Sequence, residues 1–227
     1  MKSDQLFEVY QRLRDANGCL NWWPGRTRLE IIIGAILTQN TAWTNVEKAL
    51  QNLKTEPCLN LAALRSIPED DLARIIRPSG AFRQKARKLK SFVQFMDESY
   101  EGSLRRMART DTSKLRGELL SIWGIGPETA DSILLYAFDR PVFVVDTYTK
   151  RVTTRHKWAP GSIGYPDLQN FFMNRLPSDI ELYNDFHAQI VWLGKNYCKA
   201  KPSCVGCPLE DLLPGVARNI KGGRNNV

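Results

Sequence analysis

Leu120-Ser121-Ile122-Trp123-Gly124-Ile125-Gly126-Pro127-Glu128-Thr129-Ala130 is the stretch on which the fold turns. A helical run ends near Ile122, two glycines bracket an apolar Ile125, and Pro127 stands where a new helix takes its first residue. This is the pattern of a helix-hairpin-helix. Glycines allow close backbone approach, and the free amides opening the second helix, at the positive end of its dipole, make a cradle for phosphate. A tight turn between two helices that binds nothing has the same spacing, so the neighbouring residues decide.

Those neighbours are Phe138-Asp139-Arg140-Pro141-Val142-Phe143-Val144-Val145-Asp146-Thr147-Tyr148-Thr149-Lys150-Arg151-Val152. Asp146 follows four apolar residues and opens a helix, which puts its carboxylate at the rim of a partly dry site. A plain helix cap would read the same way. Lys150 and Arg151, just beyond, are placed to touch a nucleic-acid backbone.

Working outward, the chain reads as helical almost throughout. Thr27-Arg28-Leu29-Glu30, Thr44-Asn45-Val46-Glu47 and Ser178-Asp179-Ile180-Glu181 each carry a capping box, so a helix is expected to begin at or beside each. Leu6, Tyr10 and Leu13 recur at helical spacing before Gly18, a stop signal. A short helix fits between Pro68 and Pro78. Residues 82–100 form an amphipathic helix through Ala86, Leu89, Val93 and Met96, flanked by Arg83, Lys85, Arg87, Lys88 and Lys90, a run suited to a solvated face or to DNA. Further helices are expected over 114–122, 127–137, 147–155, 167–176 and 179–195. Only 142–145 looks extended, and the polar 219–227 reads as a loose tail.

Composition narrows the partners. The 227 residues, 43% hydrophobic and 25% charged, can bury a core. No run approaches the roughly 20 apolar residues of a membrane helix, and Met1-Lys2-Ser3-Asp4 opens no secretory signal, so an intracellular protein without a membrane partner is expected, in cytoplasm or nucleoid. Thirty-two Lys and Arg against 24 Asp and Glu give a net charge of +8, which favours polyanions. Cys198, Cys204 and Cys207 crowd together while Cys19 and Cys58 stand apart, a grouping that suggests a metal or cofactor more than disulfides. His156 and His187 are lone histidines without a partner at metal spacing, and read as structural or solvent-facing.

Taken together, these residues resemble the helix-hairpin-helix DNA glycosylases of the endonuclease III superfamily. Leu37-Thr38-Gln39-Asn40-Thr41 looks like the family's LxxQxT segment, Gly124 to Ala130 like its hairpin, and Val145-Asp146-Thr147 like its catalytic VDT. The resemblance implies an all-α fold of two helical subdomains with double-stranded DNA bound across a cleft, here 25–138 for one and 1–24 with 139–227 for the other. It implies that Asp146 is catalytic, that Gln39 fills the space a flipped base vacates, and that Gly124, Ile125 and Gly126 hold the backbone. We expect a monomer acting on a damaged base.

The family's strand-cleaving members carry a lysine nucleophile where this chain has Glu128. A carboxylate cannot form an imine, so a monofunctional glycosylase is expected, and Glu128 suits the positive start of its helix. The alternatives are an endonuclease III-like glycosylase and lyase acting on oxidised pyrimidines, and a non-catalytic DNA-binding scaffold. Trp22-Trp23-Pro24, Trp43 and Arg77-Pro78-Ser79-Gly80 look closest to the 3-methyladenine DNA glycosylase III branch, which also has glutamate at the Glu128 position. That branch implies a base pocket of Trp22, Trp23, Pro24 and Trp43; stacking would suit a cationic alkylated purine, and plain core packing is the other reading. The cysteine loop resembles that of the family's [4Fe–4S] cluster, with Cys198, Cys204 and Cys207 as ligands and Leu213 where the fourth cysteine is expected. A cluster on three thiolates, a zinc site and a loop that has lost its metal all remain open.

Overall fold

The computed structural model describes residues 1–20 and 22–214, so the 219–227 tail lies outside the described residues. Helices follow one another as α1 (Ser3–Asn17), α2 (Arg28–Leu37), α3 (Trp43–Thr55), α4 (Leu61–Ser66), α5 (Glu69–Ile75), α6 (Phe82–Tyr100), α7 (Leu104–Met107), α8 (Thr112–Ser121), α9 (Pro127–Ser132), α10 (Thr147–Arg155), α11 (Tyr165–Met173) and α12 (Ile180–Asn196). The fold is all-α: the described residues contain no strand, and 142–145 is irregular backbone. None of the described helices is long and apolar enough to cross a membrane.

The chain divides into two compact units, Trp23–Val142 and a second made of Met1–Trp22 with the chain from Phe143 onward. The first unit holds α2 to α9. Its central helix is α2, capped by the Thr27 hydroxyl, which accepts from the Glu30 amide. Ile32, Ile33, Ile36 and Leu37 are buried in one core with Val46, Leu53, Leu89, Phe92 and Ile133, and the buried charge on the helix, Glu30, is paired with Lys54 at 2.5 Å. The second unit is built on α12, whose Tyr183 and Phe186 meet the stacked rings of Phe143 and Phe172, 4.3 Å apart. Each such buried ring contributes roughly 1.5–3 kcal/mol by leaving water. Helix α1 presents Leu6, Val9, Tyr10 and Leu13 to this core and ends at Gly18, whose φ of +69° no residue with a Cβ adopts cheaply.

Three expectations are corrected. Helices begin beside two of the capping boxes but are not capped by their first residue: α3 begins at Trp43 after an extended Ala42, with the Glu47 carboxylate accepting from the Trp43 indole N–H at 3.0 Å, and α12 begins at Ile180, capped by Asp179 rather than Ser178. The expected 127–137 helix changes pitch, since α9 stops at Ser132 and Ile133–Ala137 forms a wider π-turn. The basic flank of α6 is not a uniform solvated face. Lys85 is buried and donates to the carbonyls of Leu37 (2.8 Å) and Ser79 (2.6 Å), closing the end of α2 where the helix has no acceptors' partners of its own. Burial, and then the charge of Lys88, push the Lys85 ammonium down to about 8. Lys90 likewise turns inward, onto the carbonyls of Leu64, Arg65 and Ile67.

Candidate active site and nucleic-acid interface

The hairpin is assembled from local chemistry. Asp111 caps α8 by accepting from the amides of Ser113 and Lys114, α8 ends at Ile122, and Ile125 drops into the core of its unit. Gly124 has φ +81°, a backbone that favours glycine, and a Cβ there would push the Lys88 side chain, 2.6 Å away, out of its place. Gly126 takes the extended conformation before Pro127 opens α9, whose first-turn amides have no acceptor within the helix. Arg116 on α8 grips Asp131 on α9 with both ends of its fork, at 2.6 and 3.0 Å, and Asp131 is 0% exposed. Trp123, 45% exposed at the tip, lies under the Arg87 guanidinium, 4.1 Å from its centroid.

Gln39, in the turn after α2, is seated against this hairpin. Its side-chain nitrogen donates to Thr129 Oγ1 (2.8 Å) and to the Gly124 carbonyl (3.2 Å), while its oxygen accepts from the Lys88 ammonium. Glu128 is exposed on the first turn of α9.

Within the same unit Trp23 stacks on Tyr136 with centroids 4.6 Å apart and planes 16° from parallel, and meets Trp43 edge-on at 5.2 Å. Gly34 of α2 lies against both indoles, where a Cβ would make ordinary contact at 3.5 Å from Trp43 and 3.7 Å from Trp23. Trp23 and Trp43 are half-buried. Of the other expected pocket residues, Pro24 is exposed and Trp22 belongs to the other unit, under the Lys195 ammonium at 5.5 Å. Tyr136 was not anticipated, because an apolar helical run offers no mark by which to single it out; the π-turn is what aims it.

In the second unit, Asp146 is delivered by the buried run 142–145 and caps α10. Its Oδ1 accepts from the Thr149 amide (2.7 Å) and the Thr149 hydroxyl (2.8 Å). Its Oδ2 lies 3.7 Å from Nε2 of His187 on α12, ion-pair distance rather than a direct hydrogen bond, and the side chains are 12% and 6% exposed. Burial alone would raise the Asp146 carboxyl; His187 and Thr149 together outweigh it and hold the carboxyl below its ordinary value. His187, which the sequence reads as structural or solvent-facing, is buried, and no sequence spacing could have paired it with Asp146. Lys150 is exposed beside Asp146, whereas Arg151 donates to the Cys198 carbonyl at 2.9 Å and lies over the Tyr148 ring.

The cysteine loop closes around a cavity of about 260 Å³ lined by Arg155, His156, Cys198, Cys204, Cys207 and Leu213, among others. Arg155 donates to Cys198 Sγ (3.3 Å) and to the carbonyls of Lys199 and Ala200. The Cys207 thiol is pushed up by burial and then by Cys204 and Cys198, which places the three sulfurs within electrostatic reach of one another. Three thiols around one cavity suit three corners of a cluster, while Leu213 offers no donor for a fourth. Among the described residues, no three His, Cys, Asp or Glu side chains stand as a ready metal-binding group.

Residues 33–178 match the family model described as "HhH-GPD superfamily base excision DNA repair protein". A Methanocaldococcus jannaschii protein named as a DNA repair glycosylase is 46% identical over 213 residues, covering 93% of this chain and 96% of that one. Among solved structures, 3-methyladenine DNA glycosylase of H. pylori bound to 1,N6-ethenoadenine is similar at TM-score 0.75 and 29% identity, over 86% of this chain and 98% of that chain. An endonuclease III–DNA complex matches in fold at TM-score 0.81 and 24% identity, over 94% and 96% of the two chains.

Proposed function

From its membership of the HhH-GPD superfamily of base excision DNA repair proteins, to which this chain belongs, we propose that it is a monofunctional DNA N-glycosylase that hydrolyses the bond between deoxyribose and an alkylated purine of the 3-methyladenine type. The observation that carries this reading is the Asp146 carboxyl, held below its ordinary value by His187 and Thr149 in a dry setting, in a chain whose sequence has Glu128 at the family's lysine position. Breaking the glycosidic bond develops positive charge on the sugar. A carboxylate held in a dry site stabilises that charge far better than it could in water, and lets a water molecule complete the substitution at C1′. No amine at position 128 is available to capture the sugar, so the product is an intact strand with an abasic site.

The remaining residues fit the steps around that chemistry. The hairpin amides, with Lys88 and Arg87 beside them, suit phosphate oxygens. Flipping a base costs a few kcal/mol, least at a damaged pair, and Gln39 is the polar side chain at hand to replace it. The Trp23–Tyr136–Trp43 cluster offers electron-rich faces, which favour an electron-poor methylated purine over a neutral pyrimidine. The similarity to the H. pylori enzyme supports the same substrate class.

Incubation with methylated duplex DNA is expected to release 3-methyladenine, and borohydride is expected to trap no protein–DNA adduct. Release of oxidised pyrimidine with borohydride trapping would replace this reading by a lyase. Tight DNA binding with no release from any damaged duplex would leave a scaffold.

Cys198, Cys204 and Cys207 would hold an iron–sulfur cluster through three thiolates, with the Arg155 guanidinium donating to the sulfur of Cys198. When bound, the cluster supplies a cross-link for the loop after α12. Anaerobic reconstitution with ferrous iron and sulfide is expected to leave bound iron and visible absorbance in the native chain and none in Cys204→Ser. A native chain that retains no iron, or takes up zinc alone, would overturn it.

A further inference from the structure

We infer that His187 is a positioning residue for Asp146, holding Oδ2 oriented and charged where the reaction needs it. The inference rests on the reading of Asp146 as the catalytic carboxylate and adds a role to a residue that reading does not use. The two oxygens of Asp146 are not equivalent. Thr149 engages Oδ1 twice, through its amide and its hydroxyl, and so fixes the plane of the carboxylate. Oδ2 receives neither of these bonds and is therefore the oxygen left to face a developing sugar cation. What stands beside it is the His187 imidazole, 3.7 Å away.

The placement is built into the packing of α10 on α12. Gly194, two turns after His187 on the same face of α12, has no side chain, and a Cβ there would overlap the Tyr148 ring. That close approach at Gly194–Tyr148 and the His187–Asp146 contact are two points of one helix–helix seam, so the imidazole is held at Oδ2 by the backbone rather than by a flexible stem. His187 is 5% exposed, and a polar ring kept in such a place costs stability unless its surroundings use it. The other charged groups nearby are directed elsewhere. Lys150 faces solvent and Arg151 holds the Cys198 carbonyl; on α12, Asp185 accepts from Tyr10 and the Leu20 amide. Removing the imidazole would leave Asp146 buried with Thr149 alone to keep it ionised, and its carboxyl would titrate at higher pH.

Three measurements on H187L and H187Q test this: single-turnover base release at saturating DNA, the titration of the Asp146 carboxyl followed by carbon NMR, and thermal melting. In H187L the release rate is expected to fall between about 10- and 100-fold, the scale set by misplacing a catalytic group. Half-saturation should not change, and the Asp146 titration and the acid limb of the rate profile should both move to higher pH. H187Q, whose amide reaches the same place, should recover most of the rate. An unchanged Asp146 titration in H187L overturns the inference, whatever the rate does, because a purely structural loss would slow release without moving that titration. If H187L does not fold, H187A, which also removes the imidazole, is read by the same titration and the same criterion. The NMR arm needs no substrate, so a wrong lesion class does not mask it. An Asp146→Asn variant that still releases base would instead remove the underlying reading.

Discussion

Asp146→Asn is expected to abolish base release, by at least about 10²–10³-fold, while DNA affinity and the fold are kept. The substitution separates two jobs of one side chain. As the cap of α10, Asp146 accepts from the Thr149 amide, and asparagine caps helices about as well as aspartate, so its amide oxygen can take over that bond. As a charge, it has no such substitute: a neutral amide cannot stabilise an oxocarbenium-like sugar. Single-turnover release from methylated duplex, set beside equilibrium binding and a thermal melt, reads the two jobs independently. Release at the native rate would exclude Asp146 from the chemistry; lost binding or a collapsed melt would show that the cap was the larger role.

The pH dependence follows from the same geometry. Because Asp146 is held below its ordinary value, its interactions stabilise the fold fully above the unfolded value of about 3.9 and lose that contribution as pH falls through the lower, folded value. Activity should follow the ionised form and persist to lower pH than an unassisted carboxylate would allow. In Asp146→Asn this acid-dependent stability should disappear.

Residues 120 to 130 made the hairpin legible because everything it needs is local. A positive-φ glycine, a buried Ile125 and a first-turn proline are each dictated within a few residues of themselves. Helix α6 matched its expected bounds for the same reason, and so did α10, with Asp146 at its cap. Features that depend on distant chain were not legible. Lys85 looked like one more exposed charge until α2 supplied a carbonyl for it. Thr44 carried a good cap sequence, yet Trp43 enters the helix first, with its ring against Trp23 and its N–H on Glu47. His187 reaches Asp146 only through the packing of two helices, and Tyr136 reaches Trp23 only through a π-turn. Short α4 and α7 escaped because a four- or six-residue helix has too few turns to show a period.

Arg116→Met is expected to cost about 3–5 kcal/mol, the usual loss when one partner of a buried ion pair is removed. For a chain of this size that corresponds to a melting temperature lower by roughly 6–20 °C. The cost arises on the Asp131 side, for its carboxylate is 0% exposed and would lose the fork that now meets both of its oxygens. Arg116 itself is 30% exposed and gains water when released. Because the pair joins α8 to α9, its loss should loosen the hairpin, and DNA affinity should fall along with stability. The double variant Arg116→Met with Asp131→Leu distinguishes charge from packing. With no buried charge left, most of the stability should return, since replacing a buried pair by apolar groups of similar size is often neutral. A double variant as unstable as the single one would show that the pair holds the two helices in register, and that the hairpin depends on the direction of that fork rather than on neutralising Asp131.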